Sequence, residues 1–158
     1  MAEKNKKLEI ASAIVGGLYA AIHIALAVIF ITEARISGEV NTEGMGIFVF
    51  FYFWLQILIV SIAIDTTAFA IWCVAAIIIP LRAESVKTIR RVAIANIVFL
   101  VLRMIIDVNF VFGFIVNGFR DGDYLRAILT ILFIILTITW FVLNIIRAKI
   151  YKNKDRNK

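Results

Sequence analysis

Four long apolar runs, separated by short polar stretches, dominate the sequence. They cover residues 8–32, 47–80, 92–116 and 124–150. Each run is long enough to cross the roughly 30 Å hydrocarbon core of a bilayer as a helix, which needs about 20 residues. A helix is favoured because a membrane span must satisfy its backbone hydrogen bonds internally. The pattern predicts an all-α integral membrane protein that forms a four-helix bundle.

The links between the runs are short. Two glycines lie in the link 117–123, and the basic stretch 81–91 follows Pro80, which discourages helix continuation. Such short links make successive spans antiparallel neighbours, so an up-down bundle is expected. Because little chain lies outside the runs, we expect one transmembrane domain covering residues 1–158.

Basic residues are distributed unevenly between the two ends of the predicted bundle. The N-terminus holds three Lys or Arg residues, the stretch 81–91 holds four and the C-terminal tail holds six, whereas the opposite links hold Arg35, Arg120 and Arg126. Short loops rich in Lys and Arg stay on the cytoplasmic side of a membrane. Both termini are therefore predicted to be cytoplasmic (N-in, C-in), in a multi-pass protein of the cytoplasmic or plasma membrane.

Composition narrows the functional classes. Hydrophobic residues make up 63% of the 158, well above the roughly 45 to 50% typical of soluble domains. The net charge of +6 does not indicate nucleic-acid binding, because the basic residues lie at the ends of apolar runs. A basic tail in that position suits anionic lipid headgroups. The single cysteine, Cys73, permits no internal disulfide and no cysteine-based metal site.

Ionisable residues interrupt the apolar runs near their middles. They are His23, Asp65, Arg103 and Asp107. If the middle of each run is placed at the bilayer centre, all four lie within roughly 5 Å of the midplane. A charged side chain at that depth costs roughly 2.5 to 3.5 kcal/mol on insertion scales unless protein shelters it. The sequence therefore predicts a buried polar cluster made by three spans.

Further polar residues share helical faces with this set. Ser61 lies on the face of Asp65, together with Trp54, Ala68 and Trp72, and this stripe is expected to face the bundle. Asn96 precedes Arg103 by seven residues. Thr137 and Asn144 continue a seven-residue seam that begins at Thr130. Small residues, Gly16, Ala20 and Ala27, surround His23 on its face, a pattern that lets membrane helices approach closely.

The predicted cluster has two interpretations. Arg103 can pair with Asp107 on its own helix and with Asp65 across an interface, which would fix helix register without transport. Alternatively, the same residues form a proton relay or an ion site, with a net charge of −1 while His23 is neutral. A lone histidine cannot supply two axial haem ligands, and one His with two Asp is a weak metal set. No metal and no cofactor are therefore predicted.

Function can be narrowed to two classes. No catalytic motif with defined spacing is present, so an enzyme is not expected and no residue is assigned a catalytic role. The favoured class is a small non-catalytic subunit, interaction or scaffold protein of a membrane complex, whose partners are other membrane subunits or a second copy. The alternative is a proton- or ion-coupled small transporter or channel component. That class requires a homo-oligomer, because one four-helix bundle is too narrow to hold much substrate.

Overall fold

The computed structural model describes residues 5–39 and 47–156, and these residues are helical almost throughout. They form four helices, which are α1 (Lys6–Glu39), α2 (Ile47–Arg82), α3 (Val86–Arg120) and α4 (Tyr124–Arg156). Within the described residues there is no β-strand. The prediction of an all-α protein is confirmed.

Three segments are long and apolar enough to cross a membrane, namely Lys6–Ala34, Phe53–Arg82 and Tyr124–Asp155. A fourth candidate span arises in α3 if its two segments, Val86–Val108 and Val111–Arg120, are taken together. These segments meet at a bend of 45°. The described chain thus has three or four candidate spans, as expected of a membrane protein.

Helices α2 and α3 extend further than the apolar runs indicate. The stretch 81–91 was predicted to be a loop, but α2 continues to Arg82 and α3 begins at Val86. This part of the prediction was wrong. Pro80 lacks an N–H group, yet the amide of Ala83 still donates to the carbonyl of Ile79 at 2.8 Å, so the last turn closes. Lys and Arg also have good helix propensity, so the basic residues of this stretch can form the first turns of α3.

The link between α3 and α4 is a tight turn. Gly122 adopts a φ of 74°, a left-handed conformation that glycine reaches without steric cost. The amide of Asp121 closes the end of α3 by donating to the carbonyl of Asn117 at 2.8 Å. The chain therefore reverses over residues 121–123.

Aromatic rings form the centre of the packed core. Helix α1 packs against α2 and α4, whereas α3 packs extensively against α4 and less against α2. The ring of Tyr19 in α1 lies between α2 and α4, with its centroid 5.2 Å from that of Phe69 and 4.9 Å from that of Phe133. This aromatic layer joins three of the four helices.

Close contact between α1 and α4 depends on Gly16. A Cβ atom at this position would lie 2.6 Å from Cζ2 of Trp140, closer than carbon atoms can approach. Glycine therefore lets the fully buried indole lie directly on the α1 backbone. The small-residue face of α1 is the face that packs, and it carries the buried His23 and Ala27.

Helix α2 presents only part of the predicted stripe to the bundle, since Asp65 and Trp72 contact α3. The other members, Trp54, Ser61 and Ala68, are exposed, and α2 instead buries Phe69 and Cys73. The prediction was wrong for Ser61, whose hydroxyl donates to the carbonyl of Ile57 at 2.8 Å. A hydroxyl satisfied within its own helix needs no partner across an interface.

Candidate functional site

Arg103 is the centre of the polar residues in the middle of the bundle. Its Nη1 and Nη2 atoms donate to the two carboxylate oxygens of Asp65, each at 2.7 Å. Its Nε atom donates to Oδ2 of Asp107, one helical turn further along α3, also at 2.7 Å. Such short, charge-assisted contacts are about twice as strong as neutral hydrogen bonds. One guanidinium thus joins two carboxylates from two helices.

His23 completes this group from α1. Its Nε2 atom lies 3.4 Å from Nη2 of Arg103, and its ring lies on Phe69 with a centroid distance of 4.0 Å. Because a guanidinium can only donate, Nε2 acts as the acceptor in this contact, which requires a neutral imidazole. We call His23, Asp65, Arg103 and Asp107 the central cluster. Its formal charge in this arrangement is −1.

The central cluster lies near the middle of the helices that build it. His23 and Asp65 lie about three residues from the midpoints of Lys6–Ala34 and Phe53–Arg82, and Arg103 and Asp107 lie within four residues of the midpoint of α3. Four residues correspond to about 6 Å along a helix. The four sequence-predicted residues therefore meet at one level.

Burial is uneven within the central cluster. Arg103, Asp107 and His23 are buried, but the side chain of Asp65 is 50% exposed. Asp65 lies at the edge of the packed face of α2. It is exposed because α3 packs less against α2 than against α4. The cluster is consequently open on the side between α2 and α3.

Cavities lie on both sides of the Arg103–Asp107 pair. One, of about 270 Å³, is lined by residues of all four helices, among them His23, Asp65 and Thr66 as well as the pair itself. The other, of about 200 Å³, lies between α3 and α4, with Tyr19 and Thr137 in its lining. The charged side chains of the central cluster therefore border two cavities.

The predicted supporting residues have other partners. Asn96 is fully buried and accepts a hydrogen bond from Nε1 of Trp72 at 3.0 Å. The Thr137 hydroxyl donates to the carbonyl of Phe133 at 2.7 Å. It lies beside the Tyr19 hydroxyl, which is buried without a well-formed hydrogen bond. Ser61 lies outside the cluster, as described above.

Asn144 belongs to a second cluster, which the sequence analysis missed. Arg147 of α4 donates to both carboxylate oxygens of Glu9 in α1, at 3.2 and 2.6 Å. Its Nη1 atom also donates to Ser12 at 3.1 Å and to Asn144 at 2.9 Å. We call Glu9, Ser12, Asn144 and Arg147 the closed cluster, since the side chains of its ion pair are each only 1% exposed.

Arg147 was assigned to the basic tail, and its burial shows that this assignment was wrong. Charges at the end of an apolar run usually reach water or headgroups, which is why the pair was not recognised. A signal was nevertheless present, because the seam of Thr130, Thr137 and Asn144 continues one turn beyond Asn144 to Arg147. The seam itself is buried along its whole length.

A third arginine joins α1 and α4 at the other end of the structure. Nη1 of Arg126 donates to both carboxylate oxygens of Glu33, at 2.8 and 2.7 Å. Asp123 lies 3.6 Å from Nε of the same guanidinium. This group had been counted only among the charges of the links. It fixes the end of α4 next to the turn.

The central cluster contains two carboxylates and one guanidinium, so its formal charges do not balance. Within residues 5–39 and 47–156, no three or more His, Cys, Asp or Glu side chains are grouped so as to hold a metal ion.

Comparisons with protein-family models, curated proteins and solved structures found no match to this chain.

Proposed function

We propose that this chain is a small non-catalytic subunit of a membrane complex, and that it binds another membrane protein over the opening between α2 and α3. The observation that carries this proposal is the half-exposed carboxylate of Asp65, near the middle of a candidate span. A lone copy would expose this charge to acyl chains.

The energetic argument concerns the uncovered side of Asp65. An ionised carboxylate has about four acceptor positions, and Arg103 donates to one on each oxygen. Because the side chain is half exposed, its remaining positions are accessible from outside the bundle, where lipid tails offer no donor. Charged groups within a membrane characteristically face protein or a water-filled cavity. A partner over the α2–α3 opening removes the exposure without disturbing the Arg103 contacts.

The proposal includes the topology of an antiparallel four-helix bundle with both termini cytoplasmic. It is supported by the three-residue links 83–85 and 121–123 and by the basic residues near the first of these links. In a Cys73→Ala background, a cysteine at Ser85 should react with a membrane-impermeant thiol reagent only after the cells are opened. A cysteine at Gly122 should react in intact cells, and the reverse pattern would contradict the topology.

Native mass spectrometry of the chain, extracted with surrounding lipid from its own membrane, tests the subunit role. We expect the wild type to retain a second, different chain and Asp65→Asn to retain less of it. Asp155→Asn is the matched control, because Asp155 forms only an exposed pair with Arg90 at 3.4 Å. Recovery of the wild type as a single chain would overturn the proposal.

A second candidate function is a proton- or ion-coupled transporter or channel component that works as a homo-oligomer. The cavity of about 270 Å³ beside two carboxylates favours it specifically. Reconstituted vesicles containing the purified chain would then show proton or cation flux that Asp65→Asn abolishes. We expect no flux from either form. A wild-type flux removed by the substitution would favour transport over the subunit role.

A further inference from the structure

We infer that the partner inserts one basic side chain of a transmembrane helix through the α2–α3 opening, where its charge meets Asp65 and Asp107. This inference rests on the proposed subunit role and names the chemistry of the partner. It follows from the charge of the central cluster, the shape of the cavity and the position of basic residues in this chain.

The central cluster lacks one positive charge. Arg103 is the single cation, and its hydrogen bonds to Asp65 and Asp107 use Nε and both Nη atoms. His23 faces the guanidinium as an acceptor and adds no charge. Arg103 donates to Oδ2 of Asp107, which leaves Oδ1 as a further acceptor. One additional cation brings the cluster to neutrality.

The cavity fits a long basic side chain. Leu58 of α2 and Ile106 of α3 line it, and they are 45% and 68% exposed. Lys and Arg side chains characteristically lay their methylene groups along apolar surface and direct the charge to a polar site. The hydroxyl of Thr66, which lines the same cavity, is buried and has no hydrogen-bond partner among the described residues. It can accept a hydrogen bond from the incoming cation.

The size of the cavity limits what enters it. A volume of about 270 Å³ accommodates one side chain, whereas a helix has a diameter of roughly 10 Å. The partner backbone must therefore lie outside, across α2 and α3. The partner helix would thus lie in the groove between α2 and α3 and insert one side chain into the cavity.

A second copy of this chain does not supply the missing charge. Among the described residues, Arg103 is the only Lys or Arg near the middle of a helix, and it is already bound to two carboxylates. The other basic residues lie near helix ends. A symmetric dimer through this face would bring two copies of Asp65 together, which is repulsive. The partner is therefore a different chain.

Synthetic transmembrane peptides test the inference directly. Polyleucine helices with a single central Lys, Leu or Glu are labelled with a fluorescent donor and mixed with acceptor-labelled protein in phosphatidylcholine vesicles. We expect the Lys peptide to associate about tenfold more strongly than the Leu peptide with the wild type, since polar contacts between membrane helices reach about 1 to 2 kcal/mol. The Glu peptide should associate least.

Variants assign the effect to the central cluster. Asp65→Asn should reduce the preference for Lys over Leu to about threefold or less, because it brings the formal charge to zero. Asp155→Asn should keep the wild-type preference. Equal association of the Lys and Leu peptides with the wild type, or an unchanged preference in Asp65→Asn, would overturn the inference.

The outcomes separate this inference from the proposed function. If native mass spectrometry finds an Asp65-dependent partner but the Lys peptide has no advantage, the subunit role stands and the basic anchor is wrong. Pentylamine in the same vesicles provides the remaining test. If it stabilises the protein while no peptide associates, the cavity binds a small amine, and the inferred helix partner is rejected.

Discussion

The closed cluster and the central cluster are each built around one arginine, yet their surroundings differ. In the closed cluster, Arg147 meets one carboxylate, and Ser12 and Asn144 accept from the same guanidinium. In the central cluster, Arg103 meets two carboxylates, one of which is half exposed. The first is neutral and closed, and the second carries a formal charge of −1 and adjoins two cavities.

This difference indicates what each cluster does. A buried polar network whose members are all satisfied rigidifies a structure, and the closed cluster fixes α1 against α4. A network with an unmatched charge and space beside it has capacity for another group. We therefore propose a functional role for the central cluster and a structural role for the closed cluster, although both contain a short Arg–carboxylate pair.

Arg147→Leu should have the largest effect on stability. It leaves the carboxylate of Glu9 buried without its counter-ion, and removing one partner of a buried pair typically costs about 3 to 5 kcal/mol. The free energy of unfolding in mixed detergent micelles measures this loss. Lys149→Leu, on an exposed position of the same helix, is the matched control and should change it little.

A double variant sharpens this prediction. Replacing both Glu9 and Arg147 by leucine should recover much of the loss, because a well-packed apolar pair often equals or exceeds a buried ion pair in stability. If Arg147→Leu alone is as stable as Lys149→Leu, the closed cluster does not exist in the membrane. The closed cluster could then no longer serve as the structural reference with which the central cluster is compared.

Arg103→Leu should destabilise the protein by about 3 kcal/mol, at the lower end of the range for a buried pair. Two carboxylates lose their counter-ion, but the half-exposed Asp65 can take up a proton, which reduces the cost. Comparison with Arg147→Leu under the same conditions is the measurement. A loss larger than that of Arg147→Leu would show that the central cluster is the tighter structural element, contrary to our interpretation.

How much the sequence predicts depends on where a polar residue lies in its apolar run. The central cluster was identifiable because Asp65, Arg103 and Asp107 interrupt the middle of long runs, where water is absent and a charge requires a partner. Glu9 and Arg147 lie near the ends of their runs. At that depth a charge can equally face headgroups, so sequence position alone could not distinguish a buried pair from a solvated one.

The orientation of α2 was unpredictable for a related reason. Almost every residue around this helix is apolar, because lipid and protein both accept apolar side chains. Ser61, on the same predicted stripe as Asp65, is satisfied by the carbonyl of Ile57 and carries no information about the interface. Only Asp65 was informative, and it lies at the boundary of the packed face. Its half exposure depends on how α2 packs against α3, which the apolar sequence of α2 does not determine.

Gly16→Ala tests whether the closed region is tightly packed. The added methyl group would collide with Trp140, whose Nε1 is held by Ser12 at 3.1 Å. Overpacking typically costs about 1 to 3 kcal/mol, of which up to about 1 kcal/mol is offset by the better helix propensity of alanine. Gly17→Ala is the matched control, since nothing lies within 4 Å of its added Cβ. It should be neutral or slightly stabilising, and an equal response of the two variants would contradict the packing.

Asp65→Asn should have the smallest effect, below about 1 kcal/mol, although it alters the most exposed member of the central cluster. The amide oxygen still accepts from Arg103, and Arg103 keeps Asp107 as a counter-ion at 2.7 Å, so no charge is left unpaired. Glu9→Gln is the matched comparison, because it also replaces a carboxylate by an amide but leaves the buried Arg147 without a counter-ion. It should cost about 3 kcal/mol or more. If chemical unfolding shows equal losses for the two variants, Asp65 is as structural as Glu9, and the proposed partner site loses its physical basis. If Asp65→Asn keeps its stability but loses the partner chain in native mass spectrometry, the unmatched charge of the central cluster serves binding and not folding.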